Sequence, residues 1–189
     1  MKLLPLSFYE NPDVLAVAKG LLGKGLFTQI NGEITGGMII ETEAYAGIHD
    51  RASHAYNNKR TQRTEAMYGP GGHAYVYLCY GIHHLFNVVT NIAGTPHAVL
   101  IRALLPPHGI ETMKARRASK NLTTGPGALS SALGITLEHY GQPLNSPTLW
   151  IADIDVAPTQ IEATPRIGVD YAGPDALLPY RFIAKNSPL

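Results

Sequence analysis

The stretch MIIETEAYAGIHDRASH, residues 38–54, runs from aliphatic residues straight into two glutamates, a tyrosine and two histidines. Alternate side chains of a strand share a face, so Ile39, Glu41, Glu43 and Tyr45 are expected on one side, with Thr42 and Ala44 on the other. A carboxylate on such a face needs a partner or a water-filled cleft. Arg102, set among aliphatic residues in AVLIRALL, is the partner on offer. Pairing across two strands would favour the charged form of the acid. An acid so held is available to a substrate; a buried salt bridge with no chemistry fits the same residues.

The aromatic residues narrow the choice. Tyr75 and Tyr77 of HAYVYLCY share a strand face, and Tyr45 follows Glu43 by two. Tyr80 has the opposite parity and precedes Gly81, which places it at a turn. Tyrosines and His54 around an ionised carboxylate suggest a slot for a flat ring, where stacking is worth about 1–3 kcal/mol per base. Any one of these tyrosines could equally be packed with its hydroxyl hydrogen-bonded.

Other chemistries lack support. His49, Asp50, His54, His73, His83 and His84 could be metal ligands, but none falls in a pattern such as H-E-x-x-H. The single cysteine, Cys79, excludes a multi-thiolate zinc centre and an intramolecular disulfide, suits a reducing compartment, and reads as a small core residue. Walker, Rossmann and G-x-S-x-G motifs are absent. TTGPGALSS could present backbone N–H groups to a phosphate or form a simple turn and cap.

The elements that must position these residues are those of one domain over residues 1–189. NPDVLAVAKGLLGKG predicts a helix with Asn11 as N-cap and Pro12 in the first helical position. GLFTQINGEITGGMIIE predicts a hairpin about Asn31-Gly32. HAYVYLCY, LFNVVTN, AVLIRALL, TLWIADI, RIGVDYA and YRFIAK predict strands; GIETMKARRASK and GALSSALGI predict helices. Long loops are expected at 46–73 and 139–148. The expected class is α+β, built on a largely antiparallel sheet.

Charge is unevenly spread. Residues 1–50 carry −3, residues 51–120 carry +7 and residues 121–189 carry −3, within a net +1. A basic block of this kind can meet a polyanion. No apolar stretch reaches membrane-spanning length and the N-terminus lacks a signal-peptide core, so the expected setting is the cytoplasm.

ETEAYAGIHDRASHA, MYGPGGHAYVYLCYGIHHLFNVVT, VLIRALLP, GPGALSSALGI and RIGVDYAGPDALLPYRF, in this order, resemble the alkyladenine (3-methyladenine) DNA glycosylases. The resemblance extends from about residue 5 to Pro188. It implies a single domain with a curved antiparallel sheet and peripheral helices, of the formyltransferase C-terminal-domain-like type. It also implies a monofunctional hydrolase without cofactor or metal that removes alkylated or deaminated purines and leaves an abasic site. By the same resemblance Glu43 is the general base, Arg102 holds it and its water, and the Ile167 carbonyl is a further ligand of that water. Tyr45 would stack on one face of the extruded base, with His54 and Tyr77 on the other. Backbone around Ala52 and His54 would meet the base edge, Tyr75 would support the pocket, and Asn87 would crowd the amino group of guanine. Tyr80 would be the wedge in the duplex, and Ile82 and His83 of its turn would bind DNA beside it.

Arg51, Lys59, Arg60 and Arg63, and the helical Lys114, Arg116, Arg117 and Lys120, are candidates for DNA phosphates. The implied partners are damaged double-stranded DNA and, downstream, an abasic-site endonuclease, with the enzyme a nucleoid-associated bacterial monomer. The turn Tyr80-Gly81-Ile82-His83-His84 departs from vertebrate members, which carry Met and aromatic residues after the glycine. NIAGTPHAV is slightly longer here, and a compact bacterial-type enzyme without the long N-terminal extension of vertebrate members is expected. A non-catalytic nucleic-acid-binding module and a metal-assisted hydrolase remain as alternative readings.

Overall fold

Asn31 and Gly32 adopt φ of 54° and 82°, the paired positive values that a tight type I′ hairpin requires. A computed structural model describes residues 1–185. The chain opens with β1 (Lys2–Leu3), α1 (Leu6–Tyr9) and α2 (Val14–Leu21), and the hairpin joins β2 (Gly25–Ile30) to β3 (Glu33–Tyr45). After the long loop come β4 (Ala74–Cys79), β5 (His83–Thr90) and β6 (His97–His108), then α3 (Ile110–Arg116) and α4 (Pro126–Leu133). β7 (Leu149–Asp153), β8 (Gln160–Thr164) and β9 (Arg181–Lys185) complete the chain.

The strands form one curled antiparallel sheet, in the order β1-β7-β2-β3-β6-β5-β4, with β9 pairing both β3 and β8. The fold is α+β, as expected. β3 organises it. One edge of β3 runs along β6, while the other is shared by β2 as far as Met38 and by β9 at Glu41–Glu43. The main core is packed from α2, α4 and the sheet: Leu21, Phe86, Ile101, Leu129, Leu133 and Phe182 are among its buried side chains. Each such burial contributes about 1.5–3 kcal/mol.

The strand-parity expectation fails at one residue, and the failure matters. The β3–β6 register shifts between Ile39 and Glu41 and again between Glu41 and Thr42. A bulge adds a residue to one strand and reverses which face the following side chains take. Ile39 consequently joins Ala44 and Leu104 in the main core. Thr42 lies on that same side, its hydroxyl donating to the Ala18 carbonyl of α2 at 3.0 Å. Glu41, Glu43 and Tyr45 are left to the opposite face.

Other differences are local. The N-cap of α2 is Asp13, which accepts from the N–H groups of Leu15 and Ala16, while Asn11 accepts from Asp13. Pro12 thus precedes the cap. RIGVDYA is not a strand: Gly168 takes φ 74°, and 3₁₀ turns follow over Asp170–Leu177. β1, α1 and β8 were not expected. The loop at 46–73 contains three 3₁₀ turns, at Gly47–His49, Tyr56–Asn58 and Glu65–Tyr68. Among the described residues no helix is long and apolar enough to cross a membrane.

Candidate active site

Glu43, on the β3 face freed by the bulge, is fully buried. Its Oε1 accepts the backbone N–H of Ile167 at 2.8 Å, and its Oε2 accepts the Tyr45 hydroxyl at 2.9 Å. Nη1 of Arg102 lies 3.3 Å from Oε2. The same guanidinium donates Nε to Glu41 Oε1 at 3.0 Å, an oxygen that also takes Arg181 Nε at 2.6 Å. The expected carboxylate–Arg102 pairing therefore exists, extended to two acids and two arginines that balance one another's charge. The resemblance assigned Ile167 a carbonyl role; the group that meets Glu43 is its N–H. Among the described residues Oε1 takes one hydrogen bond, which leaves room for a further donor.

A cleft of about 400 Å³ opens beside this cluster, a size suited to a small-molecule ring. Tyr45, Ala52, His54, Tyr75, Tyr77 and Asn87 all line it, together with Arg102 and Ile167. Glu43 stands just behind that lining, tied to it by three of its members. The rings of His54 and Tyr77 meet edge-on with centroids 4.6 Å apart, and Tyr75 and Tyr77 lie tilted at 5.5 Å. Nδ1 of His54 is 2.8 Å from the Tyr75 hydroxyl, and its Nε2 is 3.4 Å from an Arg63 nitrogen, which can only donate. Nε2 is then the acceptor and Nδ1 carries the proton. Burial, with Arg63 and Lys59 nearby, lowers the His54 pKa to about 4. This wall is neutral at physiological pH. Burial raises the Tyr75 hydroxyl to about 12, and burial followed by the Glu43 charge raises Tyr45 well above the ordinary phenol value. Both hydroxyls remain protonated, Tyr45 donating to Glu43 and Tyr75 accepting from His54. Asn87 is buried, its amide nitrogen fixed by the carbonyls of Tyr75 at 3.1 Å and Leu85 at 3.4 Å.

At the rim, Tyr80 stands in the β4–β5 turn with φ 49°, beside Gly81 at φ 74°. A positive φ is uncommon for a bulky residue and marks strain. Tyr80 is 92% exposed and Ile82 71%, with His83 exposed beside them. Arg51, Lys59, Arg60 and Arg63 are all exposed on the long loop. Arg63 lies 4.8 Å over the Tyr77 ring, whereas Arg60 is paired with Glu65. Of the helical cations, Arg116 is turned inward, donating to the Thr35 hydroxyl and the Ala132 carbonyl, so it is a packing residue and not a surface cation. Lys114 pairs with Glu111, Arg117 donates to the Asn121 carbonyl, and Lys120 is exposed. Among the described residues no group of three His, Cys, Asp or Glu is placed to hold a metal ion.

A family model for methylpurine-DNA glycosylase matches residues 7–188. The chain belongs to the methylpurine-DNA glycosylase family. It is 53% identical over 186 residues to a protein of Chlamydia felis (strain Fe/C-56), covering 96% of this chain and 95% of that one. It is 48% identical over 201 residues to a protein of Bacillus cereus (strain AH820), covering 97% and 96%. Both relatives bear the name "Putative 3-methyladenine DNA glycosylase". The protein is thus a DNA glycosylase of base excision repair, a hydrolase that binds damaged DNA.

Two features of this glycosylase escaped sequence reasoning. Arg166 and Asp50 form a buried bidentate pair across 116 residues of chain. Asp50 also accepts the N–H groups of Ala46 and Ala52, so the pair fixes the loop that carries Ala52 and His54. Only the oddity of two opposite charges beside glycine-rich turns could have flagged it. Tyr171 lines the cleft mouth, its hydroxyl donating to the Ala52 carbonyl at 3.1 Å; nothing in its local pattern announces this. Cys79 is not a core residue of the glycosylase: it is half-buried at the end of β4 and borders the cleft.

Proposed function

We propose that this glycosylase receives a flipped purine in the Tyr45–Tyr77 cleft and hydrolyses its N-glycosidic bond with a water activated by Glu43. The observation that carries the reading is a fully buried carboxylate, oriented by three donors, immediately behind an aromatic cleft of purine size. The substrate class is alkylated and deaminated purines: 3-methyladenine, hypoxanthine and ethenoadenine.

C1′ of a stacked nucleotide is inaccessible, so the nucleotide must leave the duplex, at a cost of about a few kcal/mol that is least for damaged bases. Tyr80 enters the vacated gap. Tyr45 stacks on one face of the base and His54 with Tyr77 on the other, while the backbone about Ala52 and His54 meets its edge. Tyr75 holds His54 in place. Asn87 crowds the amino group that distinguishes guanine. Arg51, Lys59, Arg60 and Arg63 contact phosphates, which position the protein without reading sequence.

An alkylated base such as 3-methyladenine is cationic and departs readily; hypoxanthine leaves more easily once protonated on the ring. As the bond to the base lengthens, positive charge develops on the sugar, and the Glu43 carboxylate stabilises it and takes the proton of the attacking water. Arg102 and the Ile167 carbonyl hold that water. Among the described residues that line the cleft there is no lysine to form a Schiff base with the sugar, so the reaction stops at the abasic site. The protein acts as a monomer in the bacterial cytoplasm, alongside the nucleoid, and an abasic-site endonuclease consumes its product.

Incubation with hypoxanthine-containing duplex, with and without EDTA, tests the reading. Base release that EDTA leaves unchanged supports it. Binding without release indicates a nucleic-acid-binding module, and EDTA-sensitive release a metal enzyme; either would overturn the proposal.

A further inference from the structure

Arg166 contributes no surface to the cleft, yet touches much of what builds it. Its guanidinium carbon lies 4.8 Å over the Tyr45 ring and 5.3 Å over Tyr180. Its nitrogens donate to both oxygens of Asp50, to the Ala44 carbonyl at 2.9 Å and to the Asp175 carbonyl at 3.1 Å. Its side chain is 0% exposed and that of Asp50 2%. Tyr45 borders the cleft and Arg166 does not, so the ring stands between the cleft and a buried cation.

That arrangement has an electrostatic consequence for any ring stacked on the cleft side of Tyr45. A cation on one face of an aromatic ring is attracted by the ring's quadrupole and helps fix its position. A second cation on the opposite face would be repelled by the first. Stacked centroids lie at least about 4.5 Å apart, which would place a cationic base about 9 Å from the guanidinium. Unscreened by a counter-charge, two unit charges at that spacing repel by an amount equivalent to about tenfold or somewhat more in a rate or binding constant. Asp50 is the counter-charge in direct contact with Arg166, with Glu43 further away.

We infer that Asp50 and Arg166 form a charge-neutral support behind the stacking wall, in which Arg166 positions Tyr45 and Asp50 cancels its charge so that cationic bases are accepted alongside neutral ones. Both are positioning residues, acting through Tyr45 and the Ala52 loop. The inference rests on the proposed purine-excision reading, and it assigns these two residues control over the balance between charged and uncharged lesions.

The test takes the ratio of affinities for duplex carrying 3-methyladenine, charged when bound, and duplex carrying hypoxanthine, neutral until its bond breaks. Both are measured in a Glu43→Gln background so that neither base is lost, alongside single-turnover release of each base with Glu43 in place. The intact Asp50–Arg166 pair, Asp50→Asn and the double variant Asp50→Asn/Arg166→Gln are compared. Asp50→Asn should lower the 3-methyladenine/hypoxanthine affinity ratio about tenfold. The double variant, with both charges removed, should restore the ratio to within about twofold of that of the intact pair even if both affinities are reduced. Arg166→Gln alone leaves the acid uncompensated and should raise the ratio, which keeps the inference open to test if Asp50→Asn does not fold. A ratio that stays at the intact pair's value in the single variants while both affinities fall together would show a purely structural pair and overturn the inference. Wild-type protein that releases neither base would overturn the proposed function, and this inference with it.

Discussion

The hydroxyl of Tyr45 donates to the Glu43 carboxylate at 2.9 Å, so a ring that walls the cleft and the acid behind it are held in one geometry. Stacking and chemistry are thereby coupled. Tyr45→Phe keeps the ring and deletes the bond. A hydrogen bond to a charged group is worth about 1.5–3 kcal/mol, so single-turnover excision should fall about 10–100-fold. Affinity for damaged duplex, measured by fluorescence anisotropy, should change by less than about threefold. Equal losses in both would show that the hydroxyl serves folding alone.

Arg102 is the only cation in direct contact with Glu43 among the described residues, whereas Glu41 also has Arg181. Arg102→Met leaves Glu43 buried without its counter-charge, and breaking a buried pair costs about 3–5 kcal/mol. Urea unfolding should register a loss of that order. Arg181→Met, whose partner Glu41 keeps Arg102, should cost clearly less. A reversed order would contradict the assignment of Arg102 as the bridge.

The positive φ of Tyr80 makes a prediction with opposite signs for stability and function. Tyr80→Gly relieves the strained turn, so the thermal midpoint should hold or rise slightly, although glycine adds freedom to the unfolded chain. Excision from duplex should fall at least about tenfold, while excision from single-stranded DNA, where no gap needs filling, should be less affected. Unchanged duplex excision would remove Tyr80 from the mechanism.

His54 links the cleft to pH. Its folded-state pKa is about 4, below the ordinary histidine value of about 6.5, because burial and two cations disfavour its charge. As pH falls below about 6.5 the unfolded chain takes up a proton that the folded protein refuses until about pH 4, so this residue's contribution to stability is present above that window and is lost through it. Unfolding at pH 7 and pH 5 should show a smaller acid-induced loss for His54→Gln than for wild type. An NMR titration placing His54 near its ordinary value would refute the neutral-wall assignment.

Much of the site was legible because certain residues state a need that only a distant partner can meet. Arg102 in an aliphatic strand requires an anion, and Asn31-Gly32 requires a hairpin; both are local facts with long-range consequences. The bulge between Ile39 and Glu41 was not legible, because it belongs to the register between two strands and not to either sequence. It is what turns Ile39 into the core while Glu43 faces the site. Arg166 was hidden for a related reason: RIGV reads as the start of a strand, and only folding brings it to Asp50, 116 residues away. Arg116 looked like a surface cation by its neighbours, but contact with β3 and α4 turns it inward. Composition near a residue says little about which neighbour will cover it.

The most direct test of the account is Glu43→Gln, which preserves shape and removes the base. Single-turnover assays on hypoxanthine-containing duplex, paired with binding measurements on the same DNA, should show excision reduced by at least about a thousandfold with affinity within about fivefold of wild type. Excision by the purified variant at a rate comparable to wild type would mean that another group activates the water, and the central role given to this carboxylate would be wrong.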